Sequence, residues 1–333
     1  MTGGDANQKL ARFIAARSGA DVARINRNDL LVGGAIQENR ALDIEIVGGE
    51  LSGSHALVLR TEALSSVPET RSLEQQFAML SAAHKAGVTV PQPLWYCDDV
   101  SVTGRPFYVM RRIGGEALGS RIVRDAPHDA LARRLGRELA IIHTISPPCE
   151  DLAFLDLPEI SPAQDSIKKY RAYLDVEPEP HPVLEWGLRW LELDAPASNE
   201  IVLAHHDFRT GNYMVDGGEL TGILDWEFAG WSDPHEDLAW FCAKCWRFGS
   251  SHDAGGIANR EIFFDAYEAQ SGREIDRDII PYWEVMAHVR WAIVALHQCA
   301  RHRSGQEPSL DMALIGRRLA ELEYEILILT KAM

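Results

Sequence analysis

The chain has 333 residues, 46% hydrophobic and 25% charged, a globular balance with length enough for two cored domains. Its 49 Asp and Glu outnumber 33 Lys and Arg, for a formal net charge of −16, which argues against nucleic acid or an anionic membrane as a partner because both demand basic surface. Five scattered cysteines are too few for a disulfide scaffold, the opening residues carry no apolar signal segment and no apolar run reaches membrane length, so a reducing cytoplasm is the expected compartment.

Residues 7–18 suit an amphipathic helix with Leu10, Phe13 and Ile14 on one face. Gly33 and Gly34 follow between strand-like runs. Paired glycines let backbone amides approach phosphates, yet neither G-x-x-x-x-G-K-[ST] nor G-x-G-x-x-G is present, so the pair alone reads equally as a plain turn. His55 to Arg60 alternates as a strand ending in a cation, and a solvated strand end is the simplest account of Arg60. Ser72 to Leu80 is helical, with Leu73, Phe77 and Leu80 on one stripe and Glu74 off it. Pro106 to Met110 is another strand, and Gly114-Gly115 follows Arg111-Arg112-Ile113. The pattern changes there from strands to helices, which predicts two domains, 1–114 and 115–333.

Ala130 to His143 is strongly helical, with Leu131, Leu135, Leu139 and Ile142 on one face; His143 at its end suits a structural role better than catalysis. The stretch from 146 to 196 is irregular, rich in proline and acids, with helical pieces bearing Tyr170, Tyr173, Trp186 and Trp190. Aromatics at helical spacing are usually core, and at the level of sequence a core role and a ligand-facing role both stand.

The most informative stretch is His205-His206-Asp207-Phe208-Arg209-Thr210-Gly211-Asn212, followed by Asp225-Trp226-Glu227. Ile201 to Ala204 reads as a buried strand that delivers the loop, and Asp216-Gly217-Gly218 between two apolar runs signals a hairpin. Folding that hairpin sets Asn212, entering one strand, about opposite Asp225, leaving the other, so an amide oxygen and a carboxylate converge. Magnesium takes hard oxygen ligands, often one or two carboxylates plus substrate phosphates. Asp207 then lies beside the metal, placed to accept a proton from an attacking hydroxyl. A single acid near an amide would read as a polar loop; the joint spacing is far more restrictive.

Beyond it, Asp233-Pro234-His235-Glu236 is a helix start with an N-cap and a capping box, predicted to run to about Phe248 and stop at Gly249. Asp237 in its first turn fits simple helix-dipole stabilisation. Cys242 and Cys245 on that helix read as buried thiols rather than a zinc or redox pair. Two further helical stretches, 282–301 and 308–332, complete the chain.

The segment from Leu203 to Gly249 resembles the aminoglycoside phosphotransferase-like (choline kinase-like) family. The family pattern H-G-D-x-x-x-x-N, I/L-D-W-E and G-D-P-x-x-D-L-A is matched by His205 to Asn212, Leu224 to Glu227, and Ser232 to Ala239. The finer pattern D-F-R-x-G-N, then L-A-W-F-C-A-K-C-W-R-F-G, is similar to the kinase-like domains found with acyl-CoA dehydrogenases. The resemblance implies an α+β, protein-kinase-like two-lobe fold, with a small β-rich N-lobe and a larger helical C-lobe. It also implies ATP and Mg2+ as cofactors and transfer of the γ-phosphoryl group to a small-molecule hydroxyl acceptor. It gives Asp207 the catalytic role and Asn212 and Asp225 the metal. Gly33 and Gly34 would lie over the phosphates, Arg60 would grip them while pairing with Glu74, and Arg111 to Ile113 would meet adenine. The insertion after residue 146 would shape the acceptor pocket, and Asp237 would brace the catalytic loop.

Two departures stand out. Arg60 replaces the usual lysine, and His206 replaces the family's glycine. Together they keep a nucleotide-binding pseudokinase, a sensor or interaction module, as the alternative. A protein kinase is disfavoured, since only a short gap separates Asp225 from Asp233-Pro234, with no A-P-E motif. The acceptor stays open among an aminoglycoside, an amino alcohol and a hydroxyacyl compound.

Overall fold

The computed structural model describes residues 3–31, 38–62, 70–197, 200–306 and 308–331. The elements in chain order are α1 (Gly3–Ser18), β1 (Val22–Leu30), β2 (Glu38–Val47), β3 (Gly53–Thr61), α2 (Leu73–Lys85), β4 (Pro93–Cys97), α3 (Val100–Thr103) and β5 (Phe107–Arg111). Then follow α4 (Gly119–Ile122), α5 (Asp129–Ile142), α6 (Pro162–Leu174), α7 (Pro182–Leu193), β6 (Val202–Ala204), β7 (Tyr213–Asp216), β8 (Glu219–Ile223) and β9 (Gly230–Ser232). The chain ends in α8 (Pro234–Cys242), α9 (Arg260–Ser271), α10 (Ile280–Arg303), α11 (Leu310–Gly316) and α12 (Leu319–Leu329). Two compact units result. One holds Met1–Gly115 with Cys149–Phe154 and Met214–Ala229; the other holds Glu116–Pro148, Leu155–Tyr213 and Gly230–Met333. The chain thus passes out of the first unit after Gly115, while residues 149–154 and 214–229, which fall in the later segment of the sequence, return to it.

The first unit is built on a five-stranded antiparallel sheet in the order β1-β2-β3-β5-β4. Alternation along the strands sorts the side chains. Leu42, Ile44 and Ile46 of β2, Leu57 and Leu59 of β3, and Phe107 and Val109 of β5 form a core with Leu10 and Ile14 of α1. Phe13 joins from the margin, its ring edge-on to Phe107 at 5.2 Å. Val58 and Arg60 have the opposite parity, so Arg60 lies on the other side of the sheet from α1, paired in register with Tyr108. Phe77 of α2 packs its ring against Tyr108 there, at 5.7 Å. α2 begins with a capping box in which Ser72 and Gln75 satisfy each other's backbone N–H. Both outer strands are irregular, with register shifts between Ile25 and Arg27 in β1 and between Pro93 and Trp95 in β4.

The second unit is helical, apart from the short antiparallel pair β6 and β9. α5 and α9 pack closely because Gly136 lets them: a Cβ there would stand 2.4 Å from the Phe263 carbonyl oxygen. β6 is fully buried and its Leu203 N–H donates to the Ile145 carbonyl, which fixes the start of the loop that follows. The helix after Asp233 is shorter than predicted. It ends at Cys242 because Ala243 turns extended, and a 3₁₀ turn, Lys244–Trp246, follows. The predicted helix over 308–332 is two, α11 and α12, broken at Arg317 and Arg318. Cys242 and Cys245 are both buried free thiols. Among the described residues no helix is long and apolar enough to cross a membrane.

Gly136→Ala tests the α5–α9 contact. In an isolated helix the change would stabilise by about 1 kcal/mol; here the overpacking against Phe263 wins, and the expected outcome is a loss of about 1–3 kcal/mol, read as a lower urea midpoint.

Candidate active site

In the first unit the chemistry gathers on Arg60. Its guanidinium is buried and pairs with Asp225 (Nη1–Oδ1 3.1 Å) and Glu227 (Nη2–Oε2 3.6 Å). Burial opposes its charge, but Tyr108, Asp225 and Glu227 outweigh that and raise its pKa above the ordinary arginine value. The solvated strand end is therefore not what forms. Glu74 is exposed on α2 and makes no ion pair with Arg60; its expected place is taken by Glu227, two residues after Asp225. The Glu227 carbonyl accepts the Arg71 N–H at 2.9 Å, which ties this segment to the approach to α2.

Asp225 has left-handed backbone angles, φ 58° and ψ 63°, at the end of the hairpin. Such a conformation is costly for a side-chain-bearing residue and is concentrated at functional sites. Oδ1 faces Arg60, and Oδ2 has no hydrogen bond within the described residues. In the segment expected to meet adenine, the Arg111 N–H is used by the Gln92 carbonyl (2.9 Å) and the Arg112 N–H by the Ala56 carbonyl (3.0 Å). The Ile113 N–H donates to no group among the described residues, and Gly114 O accepts from Thr221 Oγ1 at 2.7 Å. Gly115 has φ 129° and sits so close to Val215 that a Cβ would lie 2.7 Å from its carbonyl oxygen. Gly33 and Gly34 lie outside the described residues.

In the second unit, β6 ends at Ala204 and the chain turns through His205 and His206, with His206 at φ 61°. This explains why glycine suits the position: the turn needs a left-handed residue, and histidine adopts it at a cost of about 1–2 kcal/mol. Asp237 of α8 offsets that cost. Its Oδ2 accepts the His205 N–H (2.6 Å) and its Oδ1 the His206 N–H (2.8 Å). His143 Nε2 lies 3.3 Å from the same carboxylate, and His143 Nδ1 meets the Tyr267 hydroxyl at 2.8 Å. His143 is thus a buried brace. Burial alone would raise the Asp237 pKa; the hydrogen bond and charge of His143, then the charges of His206 and His205, hold it at about 2. Glu236 next to it accepts from Ser232 and lies 3.4 Å from His206 Nε2. It is not the capping-box partner expected from the sequence.

Asn212 reaches back to Asp207. Its Nδ2 donates to the Asp207 carbonyl (3.0 Å) and to Oδ2 of the same residue. With the amide nitrogen spent, its oxygen has no hydrogen bond within the described residues. Sequence reasoning missed three residues around Asp207. Arg209 Nε and Trp240 Nε1 both donate to Asp207 Oδ1, at 3.1 and 3.2 Å. Arg290 of α10 lies 4.6 Å above the Trp240 ring and donates to the His206 carbonyl at 2.6 Å. The arginine in D-F-R-x-G-N and the first tryptophan of the later motif were legible as pattern, but their target was not.

Among the described residues, no group of three or more His, Cys, Asp or Glu side chains could hold a metal ion on its own. Of the two residues expected to hold magnesium, Asn212 and Asp225, each by itself retains one side-chain oxygen without a hydrogen bond within the described residues, and oxygen is the ligand type that magnesium takes.

Comparison with known families decides the kinship. A model of the phosphotransferase enzyme family matches residues 38–283. The chain belongs to that family. Among curated relatives of the chain, mouse acyl-CoA dehydrogenase family member 10 is 30% identical over 200 residues, 56% of this chain and 18% of that protein. Human acyl-CoA dehydrogenase family member 11 is 26% identical over 302 residues, 84% of this chain and 38% of that protein. The matches thus span well under half the length of these relatives. Among solved structures, a candidate aminoglycoside phosphotransferase from Ralstonia eutropha has a TM-score of 0.78 at 21% identity, covering 97% of this chain and 98% of that one. A choline/ethanolamine kinase family protein from Mesorhizobium loti has 0.59 at 18%, covering 99% and 98%. The fold class is the expected one: α+β and kinase-like, an antiparallel-sheet unit followed by a helical one.

Asp237→Asn should expose the dependence of the loop on this carboxylate. The folded pKa of about 2 lies below the unfolded value of about 3.9, so the stabilisation is complete above about pH 4 and is lost as pH falls through 2. The variant should lose about 2–3 kcal/mol at pH 7 and unfold in acid over a shallower range, checked by urea titrations from pH 7 to pH 2.

Proposed function

We propose that the chain is an ATP-dependent small-molecule kinase that transfers the γ-phosphoryl group to an acceptor hydroxyl. The observation that carries this reading is the anchoring of Asn212. Its amide nitrogen is bound to Asp207, which leaves a hard oxygen ligand available directly beside an acid. The buried Arg60, held by two acids, adds a cation suited to phosphates.

In this reading Asp207 orients the acceptor hydroxyl and takes its proton as the oxygen bonds to the γ-phosphorus and the bond to the bridging oxygen of ADP breaks. By the resemblance, Asn212 and Asp225 would hold magnesium, which would neutralise charge on the phosphates. Arg60 binds the α- and β-phosphates, positioned by Glu227 rather than Glu74. Gly33 and Gly34 cover the phosphates. Of the segment Arg111 to Ile113, the Ile113 N–H is the donor with capacity left for adenine. Most of the catalysis is then positioning and electrostatics. The acceptor is a small hydroxyl compound: an aminoglycoside, an amino alcohol or a hydroxyacyl compound. The match to acyl-CoA dehydrogenase family members favours the last.

One observation favours a second reading, a nucleotide-binding module without turnover: Asp225 is already paired with an arginine standing where lysine is usual. ADP release from Mg-ATP across a panel of the three acceptor classes separates the two. With a kinase, Asp207→Asn keeps nucleotide binding and loses transfer by at least about 10²-fold. Asp225→Ala abolishes metal-dependent nucleotide binding in calorimetry. Turnover retained in both variants overturns the proposal, and Mg-ATP binding with no turnover on any acceptor selects the module.

A further inference from the structure

The stretch Leu238 to Trp246 carries two tryptophans that the proposed reaction does not use. Trp240 is only 3% exposed and Trp246 only 4%, which would fit a plain core role. The bend at Ala243 changes that, because it returns the chain and brings the two rings to 5.2 Å. From there each serves the same carboxylate. Trp240 donates its indole N–H to Asp207 Oδ1 at 3.2 Å. Trp246 lies under the Arg209 guanidinium at 4.5 Å, and Arg209 Nε donates to that same Oδ1 at 3.1 Å.

A carboxylate oxygen has two lone-pair sites. Oδ1 has both filled, by an indole and a guanidinium. Oδ2 has one filled, by Asn212 Nδ2, and one open. Two N–H donors on one oxygen also stop the carboxylate from rotating about its terminal torsion, which is otherwise broad. We propose that Trp240 and Arg209 are positioning residues that reserve Oδ1 of Asp207 and leave Oδ2 as the atom that receives the acceptor's proton. The donors are themselves held: Arg209 by its stack on Trp246, and Trp240 by Arg290 on the face of its ring. This inference rests on the kinase reading of Asp207, while the hydrogen bonds on which it is built do not.

The test uses the full chain with kanamycin, ethanolamine and 3-hydroxybutyryl-CoA as acceptors. Trp240→Phe keeps most of the buried ring and deletes the donor. Its kcat should fall about ten- to hundred-fold, with KM for Mg-ATP and acceptor within about threefold and an unchanged thermal midpoint. Arg209→Met should fall comparably, Arg209→Lys should recover part of the loss, and the double variant should lose less than the product of the singles because both donors serve one oxygen. Independently of turnover, the indole N–H resonance lost in Trp240→Phe should shift in Asp207→Ala without any substrate present. A Trp240→Phe enzyme with kcat within twofold of wild type overturns the inference, as does an indole resonance indifferent to Asp207→Ala. Wild-type protein that transfers phosphate to none of the acceptors, with the resonance shift intact, overturns the kinase reading and the positioning role with it.

Discussion

A single buried carboxylate holds the loop on which everything else depends. Asp237 takes the main-chain N–H groups of two consecutive residues, His205 and His206, at the point where the chain leaves a buried strand. Without those acceptors the left-handed turn at His206 has no compensation, and Asp207 loses the backbone that presents it. The carboxylate lies in the first turn of α8, where helix-end N–H groups favour negative charge, and its sequence neighbour Glu236 secures the same turn through Ser232 and His206. The brace thus extends from α5, through His143, to α8 and on to α10 through Arg290. Rigid elements, rather than the loop's own sequence, fix the geometry.

Much of this was legible in the sequence because it is local. The D-x-x-x-x-N spacing marks Asp207 and Asn212 as members of one loop, and there Asn212 Nδ2 donates to the Asp207 carbonyl and to its carboxylate. Strand alternation from His55 to Arg60 and the stripe of α1 identify the core of the first unit, and Gly114-Gly115 falls where the chain leaves that unit. What was not legible depends on long-range choice. Arg60 has acids available from two distant parts of the chain, and no spacing rule says whether α2 or the segment after the hairpin supplies its partner. Burial decides: Glu227 is enclosed beside the guanidinium, whereas Glu74 stays in solvent. Trp240 and Arg209 were hidden for a related reason. Their common target is one oxygen atom, and its two donors lie about thirty residues apart, in a loop and in a helix.

The two substitutions that set this chain apart from the family pattern have different physical weights. His206 takes a left-handed backbone conformation of the kind glycine adopts freely, so the turn forms with a side chain added. Arg60 changes the shape of the cation from a point to a fork, and both arms of the fork are in use, one on Asp225 and one on Glu227. The arginine and the glutamate therefore read as a matched pair, a local solution in which two acids from one short segment answer a single planar cation.

The irregular outer strands of the first unit carry a consequence for how the molecule behaves among its own copies. A sheet with open edges is a template for further strands, and regular, flat edges are the ones that grow. Here β1 is bulged between Ile25 and Arg27 and carries Arg24, Arg27 and Asp29, while β4 opens with Pro93 and shifts register before Trp95. Neither margin offers an unbroken ladder to a neighbouring chain, so the β-rich unit is protected at both ends against fibrillar self-association.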